Sequence, residues 1–196
     1  MVAFLNIYKS VAMLKNEIVT YMKMLYEKGF TSSLSGNVSI RDEDIVYISP
    51  SKVPKYRIKE SQVSVITFEG EHIEGARPSS ELPTHLTVYR TTDANAIIHV
   101  HPHYATILAC LKRDISPVEV ECRQLLNYVP VIPYAKPGST ELGMLISEGL
   151  KGHKGVLMEN HGSLTIGEDL EEAFILTEAL ERAARLQFEI SLVNSL

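Results

Sequence analysis

The stretch Ala96-Ile97-Ile98-His99-Val100-His101-Pro102 constrains this chain more than any other. An apolar, β-branched run closed by a proline reads as a short central strand, with a helix opening after Pro102. Side chains two residues apart on a strand share a face, so His99 and His101 would project together as a two-nitrogen grip for a metal ion. Glu81 upstream and Asn160-His161-Gly162 downstream add a carboxylate and a third imidazole. His161 falls in a turn between two apolar strands, beside a glycine that permits close approach. Three neutral imidazoles and one carboxylate suit Zn²⁺, with a position open to substrate if the glutamate swings away.

The flanking patterns set the architecture. Val11, Leu14, Ile18, Tyr21, Met22 and Leu25 recur at three- and four-residue spacing, predicting a helix over 7–28 that ends at Gly29. Residues 34–41 and 45–48 alternate as a hairpin around Asp42-Glu43-Asp44, and 63–66 make a third strand. A loop at 77–80 leads into a helix to about Thr91, with a serine as N-cap and Pro83 in the first turn. Val118-Glu119-Val120 and 129–132 read as short strands, the prolines implying an edge. A helix follows Ser139, residues 155–159 and 163–166 pair across the His161 turn, and a long helix starts near Asp169 with Glu172 in a capping box. Hairpins where a parallel sheet needs crossovers imply an α/β fold: one domain over 1–196, with a central, mostly antiparallel sheet covered by helices.

Bulk properties exclude several classes. The net charge of −5 argues against a nucleic-acid binder with a basic surface. No apolar run approaches the ~20 residues of a membrane span, and the first residues lack the charged region and cleavage site of a signal peptide. Two cysteines, Cys110 and Cys122, make no disulfide framework, and Cys110 in its apolar run reads as a buried hydrophobe. A cytoplasmic protein whose metal is held by nitrogen and oxygen is the expectation.

The other histidines are weaker candidates. His72 and His153 sit among charged residues and read as solvated turns, His85 lies in the helix after Glu81, and the direction of His103 is uncertain after Pro102. Other His-X-His folds fail on particular positions. A cupin needs a glutamate where Ala105 and Thr106 stand, an HxHxDH hydrolase needs an aspartate in place of Tyr104, and a TIM-barrel hydrolase needs a longer chain.

Three loops, Ser35-Gly36-Asn37, Ser49-Pro50-Ser51-Lys52 and Arg77-Pro78-Ser79-Ser80, carry hydroxyls, an amide or glycine-exposed N–H groups. Each alone is an ordinary turn or cap. Together, in a chain with a metal triad, they are parts of a cradle for a small phosphorylated metabolite.

In order along the chain, Ser35-Gly36-Asn37-Val38-Ser39-Ile40-Arg41, Ile48-Ser49-Pro50-Ser51, Arg77-Pro78-Ser79-Ser80-Glu81, the run from Asp93 to His101, and Asn160-His161-Gly162 resemble the motifs of the class II aldolase/adducin family, its fuculose-1-phosphate aldolases above all. The likeness runs from about the first helix to the last. It implies the three-layer fold of that family and zinc held by His99, His101 and His161. It implies that Glu81 is the general acid/base and a fourth ligand before substrate arrives, with phosphate contacts from Gly36, Asn37, Ser51, Ser79 and Ser80. It further implies a homotetramer with active sites at subunit contacts, cleaving a ketose 1-phosphate such as fuculose 1-phosphate to dihydroxyacetone phosphate and an aldehyde. Zinc as a Lewis acid would stabilise the enediolate left by carbon–carbon cleavage.

The sequence departs from the family pattern in three places. The aldolases' tyrosine proton donor is missing from residues 117–123, leaving Glu119 or Glu121 as replacements and Tyr128 as a weaker one. The C-terminal tail that covers the site in relatives is not found before Leu196. Lys52 stands where a glycine is usual and could lend a cation to the phosphate. Among alternatives on this scaffold, ribulose-5-phosphate 4-epimerases tend to carry aspartate at the place of Glu81. Methylthioribulose-1-phosphate dehydratase stays open, since an acid near Glu119 would suit its base. An adducin-like structural module without metal is disfavoured by the histidines, Glu81 and the serine loops.

Overall fold

Strands whose successive residues are all apolar must be covered on both faces, and that is how this chain folds. The computed structural model describes residues 2–194, with side chains from Val11 onward. Its strands are β1 (Asn37–Asp42), β2 (Ile45–Ile48), β3 (Ser64–Thr67), β4 (His72–Glu74), β5 (Ala96–Val100), β6 (Val131–Ile132), β7 (Gly155–Met158) and β8 (Gly162–Gly167). Its helices are α1 (Val2–Glu27), α2 (Leu82–Thr91), α3 (His103–Cys110), α4 (Val120–Leu126), α5 (Thr140–Gly149) and α6 (Leu170–Val193). The strands form one sheet in the order β4-β3-β2-β1-β5-β8-β7-β6. Every named pairing among the described residues is antiparallel except β6 with β7.

The pleat sorts the core into layers. On one face Ile18, Met22 and Leu25 of α1 pack with Val38, Ile98, Val100 and Phe174. On the other, Leu86 and Tyr89 of α2 and Leu142 and Ile146 of α5 pack with Val46, Ile48 and Ile97. Helices α3, α4 and α6 close over Leu157 on the α1 side. Each fully buried aliphatic side chain contributes roughly 1.5–3 kcal/mol. The sheet is therefore a rigid platform for whatever its ends carry.

Strand β5 lies between β1 and β8, with Asn37 opposite His99 in one register and Leu164 opposite His99 in the other. The strand stops at Val100, one residue before the expected end, and His101 donates its N–H to the Phe30 carbonyl at 2.9 Å. Carboxylates organise two helix starts. Asp169 accepts from Glu172 N–H at α6, while Glu172 reaches back to Glu168 N–H rather than to the cap itself. Glu181 of α6 accepts from Tyr104 and Ala105 N–H groups at 2.9 and 2.8 Å, and so caps α3 from a distant part of the chain.

Several expectations are corrected. Residues 118–120 are not a strand: Glu119 precedes α4 and grips Arg182 of α6 through two bonds of 2.5 and 2.6 Å. Val118 and Val120 are exposed, whereas Cys122 and Leu126 at helical spacing are buried, so the helix turns its apolar side to α6. Cys110 is exposed and Cys122 is the buried cysteine. No serine caps α2; Glu81 occupies that place, and Ser79 Oγ accepts the Glu81 N–H instead. His72 lies on the exposed edge strand β4 rather than in a turn, and His153 is half-buried against the Tyr128 ring. The first strand begins at Asn37, after the loop it was expected to include.

Candidate active site

Three imidazoles converge where β5 ends and the β7–β8 turn passes beside it. His99 is the penultimate residue of β5, His101 follows the strand, and His161 sits in the turn after Asn160, whose φ of +57° is tolerated by that residue type. One nitrogen from each ring lies within 4.8 Å of the others. A Cβ on Gly162 would stand 2.5 Å from the Val100 carbonyl and 2.6 Å from the His101 ring, so only glycine lets the turn approach this closely.

Their protonation suits a metal. His99 Nδ1–H donates to the Ser163 carbonyl at 2.9 Å, which fixes the tautomer and leaves Nε2 with its lone pair. His99 Nε2 lies 3.1 Å from His101 Nε2, near the ~3.3 Å separating two nitrogens on a tetrahedral zinc with 2.0–2.1 Å bonds. Burial, and then the neighbouring His101 and His161, push the His99 pKa well down. Burial lowers His101 to about 4 and lowers His161 as well. Neutral imidazoles are the form that ligates. The donor set therefore fits a divalent cation of the zinc type.

Glu81 stands beside this cluster rather than within it. Its Oε1 is 3.9 Å from His161 Nε2, and its Oε2 accepts the Gly138 N–H at 3.1 Å. The side chain is almost wholly buried, and that burial raises its pKa against the smaller opposing effect of the Gly138 bond. A carboxyl that holds its proton more tightly than usual beside a metal site is placed to take up and release one. Gly138 was not anticipated from sequence. Its φ of +74° and a hypothetical Cβ only 2.3 Å from the Ser80 carbonyl leave no room for a side chain. Gly138→Ala is accordingly expected to shift Glu81 and slow turnover roughly 10–100-fold while leaving the metal bound; steady-state rates alongside metal analysis check this.

The serine loops reach the same place. Ser35, Gly36, Asn37, Ser51, Lys52, Lys55, Ser79, Ser80, Glu81 and the three histidines all line one cavity of about 130 Å³. Lys52 takes the left-handed conformation, φ +58°, that a glycine would adopt there freely. Asn37 is held from behind by a buried chain. Its Oδ1 is 2.5 Å from His85 Nε2, His85 Nδ1 is 2.7 Å from Ser39 Oγ, and that hydroxyl is 2.7 Å from Tyr89 Oη. Burial drives His85 down to about 3 and Tyr89 far up. The neutral imidazole donates to Asn37 Oδ1, which leaves the amide N–H groups of Asn37 for an anion in the cavity it lines. His85 is thus a structural support.

The replacement proton donors are elsewhere. Glu119 is bound to Arg182, Glu121 is exposed, and the Tyr128 hydroxyl donates to Asp114; none of them lines the cavity of this chain. Glu81 is the only acid among the described residues that do.

A sheet with helices on both faces and a metal-ready imidazole cluster beside a buried carboxyl defines a lyase of the metal-dependent class II aldolase type. The model for the class II aldolase and adducin N-terminal domain matches residues 16–188, and the chain belongs to that family. It is 32% identical over 173 residues to an L-fuculose phosphate aldolase of Methanococcus maripaludis, covering 88% of this chain and 94% of that one. A 5-deoxy-D-ribulose 1-phosphate aldolase of Bacillus thuringiensis is 35% identical, with 89% and 84% covered. A 3-oxo-tetronate 4-phosphate decarboxylase of Haemophilus influenzae is 33% identical, with 90% and 87% covered. The solved structure of an L-fuculose 1-phosphate aldolase superposes with a TM-score of 0.87 at 35% identity, over 92% of this chain and 87% of its own. Among the described residues no helix is long and apolar enough to cross a membrane.

Proposed function

We propose that this protein is a zinc-dependent aldolase that cleaves a ketose 1-phosphate to dihydroxyacetone phosphate and an aldehyde. The observation that carries the reading is the single cavity in which three imidazoles, Glu81 and the serine loops meet. His99, His101 and His161 hold the ion in this reading, and Glu81 is free to bind it or to leave it. Zinc in that position supplies Lewis-acid polarisation of the substrate's carbonyl and hydroxyl oxygens. Gly36, Asn37, Ser51, Ser79 and Ser80 receive the phosphate and fix the sugar's first carbons near the histidines. Glu81 delivers the proton that ends on the carbon next to the carbonyl of dihydroxyacetone phosphate, and takes it off in the condensation direction.

The oxygen on the aldehyde side also needs a proton partner, and among the described residues no second acid lines the cavity of one chain. That gap supports an assembly in which a neighbouring subunit completes the site, and we extend the proposal to a homotetramer of cytoplasmic location. The exposed apolar residues Leu111, Val118 and Val120 are in keeping with such a contact. A second copy's Glu119 or Glu121 is then the first place to look for the missing acid.

Zinc-loaded protein incubated with fuculose 1-phosphate, ribulose 1-phosphate and 5-deoxyribulose 1-phosphate is expected to release dihydroxyacetone phosphate, read by a coupled dehydrogenase, and to stop when the metal is chelated. Zinc-loaded protein that releases none from any of the three would overturn the aldolase and turn attention to dehydration of methylthioribulose 1-phosphate.

A further inference from the structure

Lysine is rarely buried without a partner, because an ammonium taken out of water loses solvation that only an anion or several acceptors restore. Lys55 is such a case. It sits in a one-turn 3₁₀ helix (Lys55–Arg57) just after the Ser51 loop, and its residue exposure is 2%. The backbone is anchored, with its N–H donating to the Ser33 carbonyl at 2.9 Å. No hydrogen bond or ion pair of its ammonium is present among the described residues, and the ammonium is not sealed in as the unpartnered Ser163 hydroxyl is, so its tip meets open space. Yet Lys55 lines the cavity, together with Ser51, Ser79, Ser80 and Asn37.

Among the described residues the only carboxylate lining that cavity is Glu81, which is engaged with Gly138 N–H and faces His161. Lys55 therefore has no carboxylate paired with it among the described residues of a pocket whose other buried donors are serines and an amide. Lys52, the other cation at this cavity, is exposed and screened by water.

We infer that Lys55 is the cation that binds the substrate's phosphate, its ammonium being left without a protein counter-charge so that the phosphate supplies one. The inference rests on the reading of this cavity as a sugar-phosphate site and names the charged group that site contains. Neutral donors from serines, an amide and backbone N–H groups orient a phosphate, whereas a desolvated ammonium makes charge-assisted bonds that distinguish it from an uncharged sugar. Burial lowers the Lys55 pKa to about 8. Free protein thus carries the charge at neutral pH and loses it as pH rises through that value.

The test uses inorganic phosphate as probe, titrated into the zinc-loaded protein and followed by ³¹P NMR, so that no turnover is required. Lys55→Met and Lys55→Gln are expected to weaken phosphate binding roughly 10–100-fold with zinc content unchanged, and Lys55→Arg to restore part of it. Wild-type affinity should fall as pH climbs above about 8, while the Met variant shows no such fall. The Met variant should also melt at the same or a higher temperature, because a merely structural lysine would leave it weaker. Phosphate affinity within twofold of wild type in both the Met and Gln variants would overturn the inference. So would loss of phosphate binding in His99→Ala, which would put the anion on the metal instead. Lys55-dependent phosphate binding by a protein that cleaves no ketose 1-phosphate would sink the aldolase and leave this inference standing; cleavage with an unaltered KM in the Met variant would do the reverse.

Discussion

Loss of the bound metal from a chain that still folds is the expected result of His99→Ala. His99 contributes no charge to the core, being neutral, with Nδ1 donating to the Ser163 carbonyl and Nε2 lying 3.1 Å from His101 Nε2. Its removal opens a small space at the end of β5, but Ile97, Ile98 and Val100 keep both faces of the strand packed. The metal loses one of three imidazoles. If the 10–16 kcal/mol typical of a structural zinc site is shared among four ligands, each is worth about 2.5–4 kcal/mol, or on the order of 10²–10³ in affinity. Inductively coupled plasma analysis after dialysis, with circular dichroism beside it, reads both parts. His101→Ala provides the milder variant, since that residue is half-buried and outside the strand. Full metal retention in both would remove these residues from the ligand set.

The second large effect is on turnover. Glu81→Gln keeps the size of the side chain and its ability to accept the Gly138 N–H, but it cannot carry a proton. Activity should fall about 10²–10⁴-fold with zinc retained. The sign of the pH effect follows from burial. Glu81 titrates above the ordinary carboxylate range, so the folded protein holds its proton in a window where the unfolded chain has released it. Stability from this group is present below the unfolded pKa and is lost as pH rises through the folded one. Glu81→Gln should therefore melt somewhat higher than wild type at neutral pH while being nearly inactive, and the limb of the pH–rate profile that belongs to Glu81 should vanish. A variant with wild-type turnover would take Glu81 out of the chemistry.

Much of this site was legible before any coordinates, and the reason is periodicity. Two histidines at alternate positions of an apolar run have few other arrangements, and the order of the serine loops along the chain brought them to the same sheet end. What escaped was set by contacts distant in sequence. Val118-Glu119-Val120 has the composition of a strand, yet no strand lies beside it, and the Glu119–Arg182 pair with buried Cys122 turns it into a helix start. Gly138 looks like any turn glycine until the Ser80 carbonyl, distant in sequence, is seen where a Cβ would stand, with Glu81 bonded to its N–H. Lys55 reads as one more charge in a polar loop, because burial of a lysine leaves no local signature. His85 could be assigned to structure or to function from sequence alone; only the contacts with Asn37 and Ser39 decide it.

The pairing of Asn37 with His99 across one rung of the sheet also has an evolutionary meaning. In the proposed reading, the phosphate end and the oxygen-binding end of a substrate are measured off by a distance that no loop can alter, roughly the 4.5–5.5 Å between facing strand residues. In that reading the opposite end of the sugar is not held by this rung of the sheet. A lineage carrying this chain can therefore explore new aldehydes by surface substitution, while the invariant three-carbon unit stays written into the core and any drift there is penalised as misfolding.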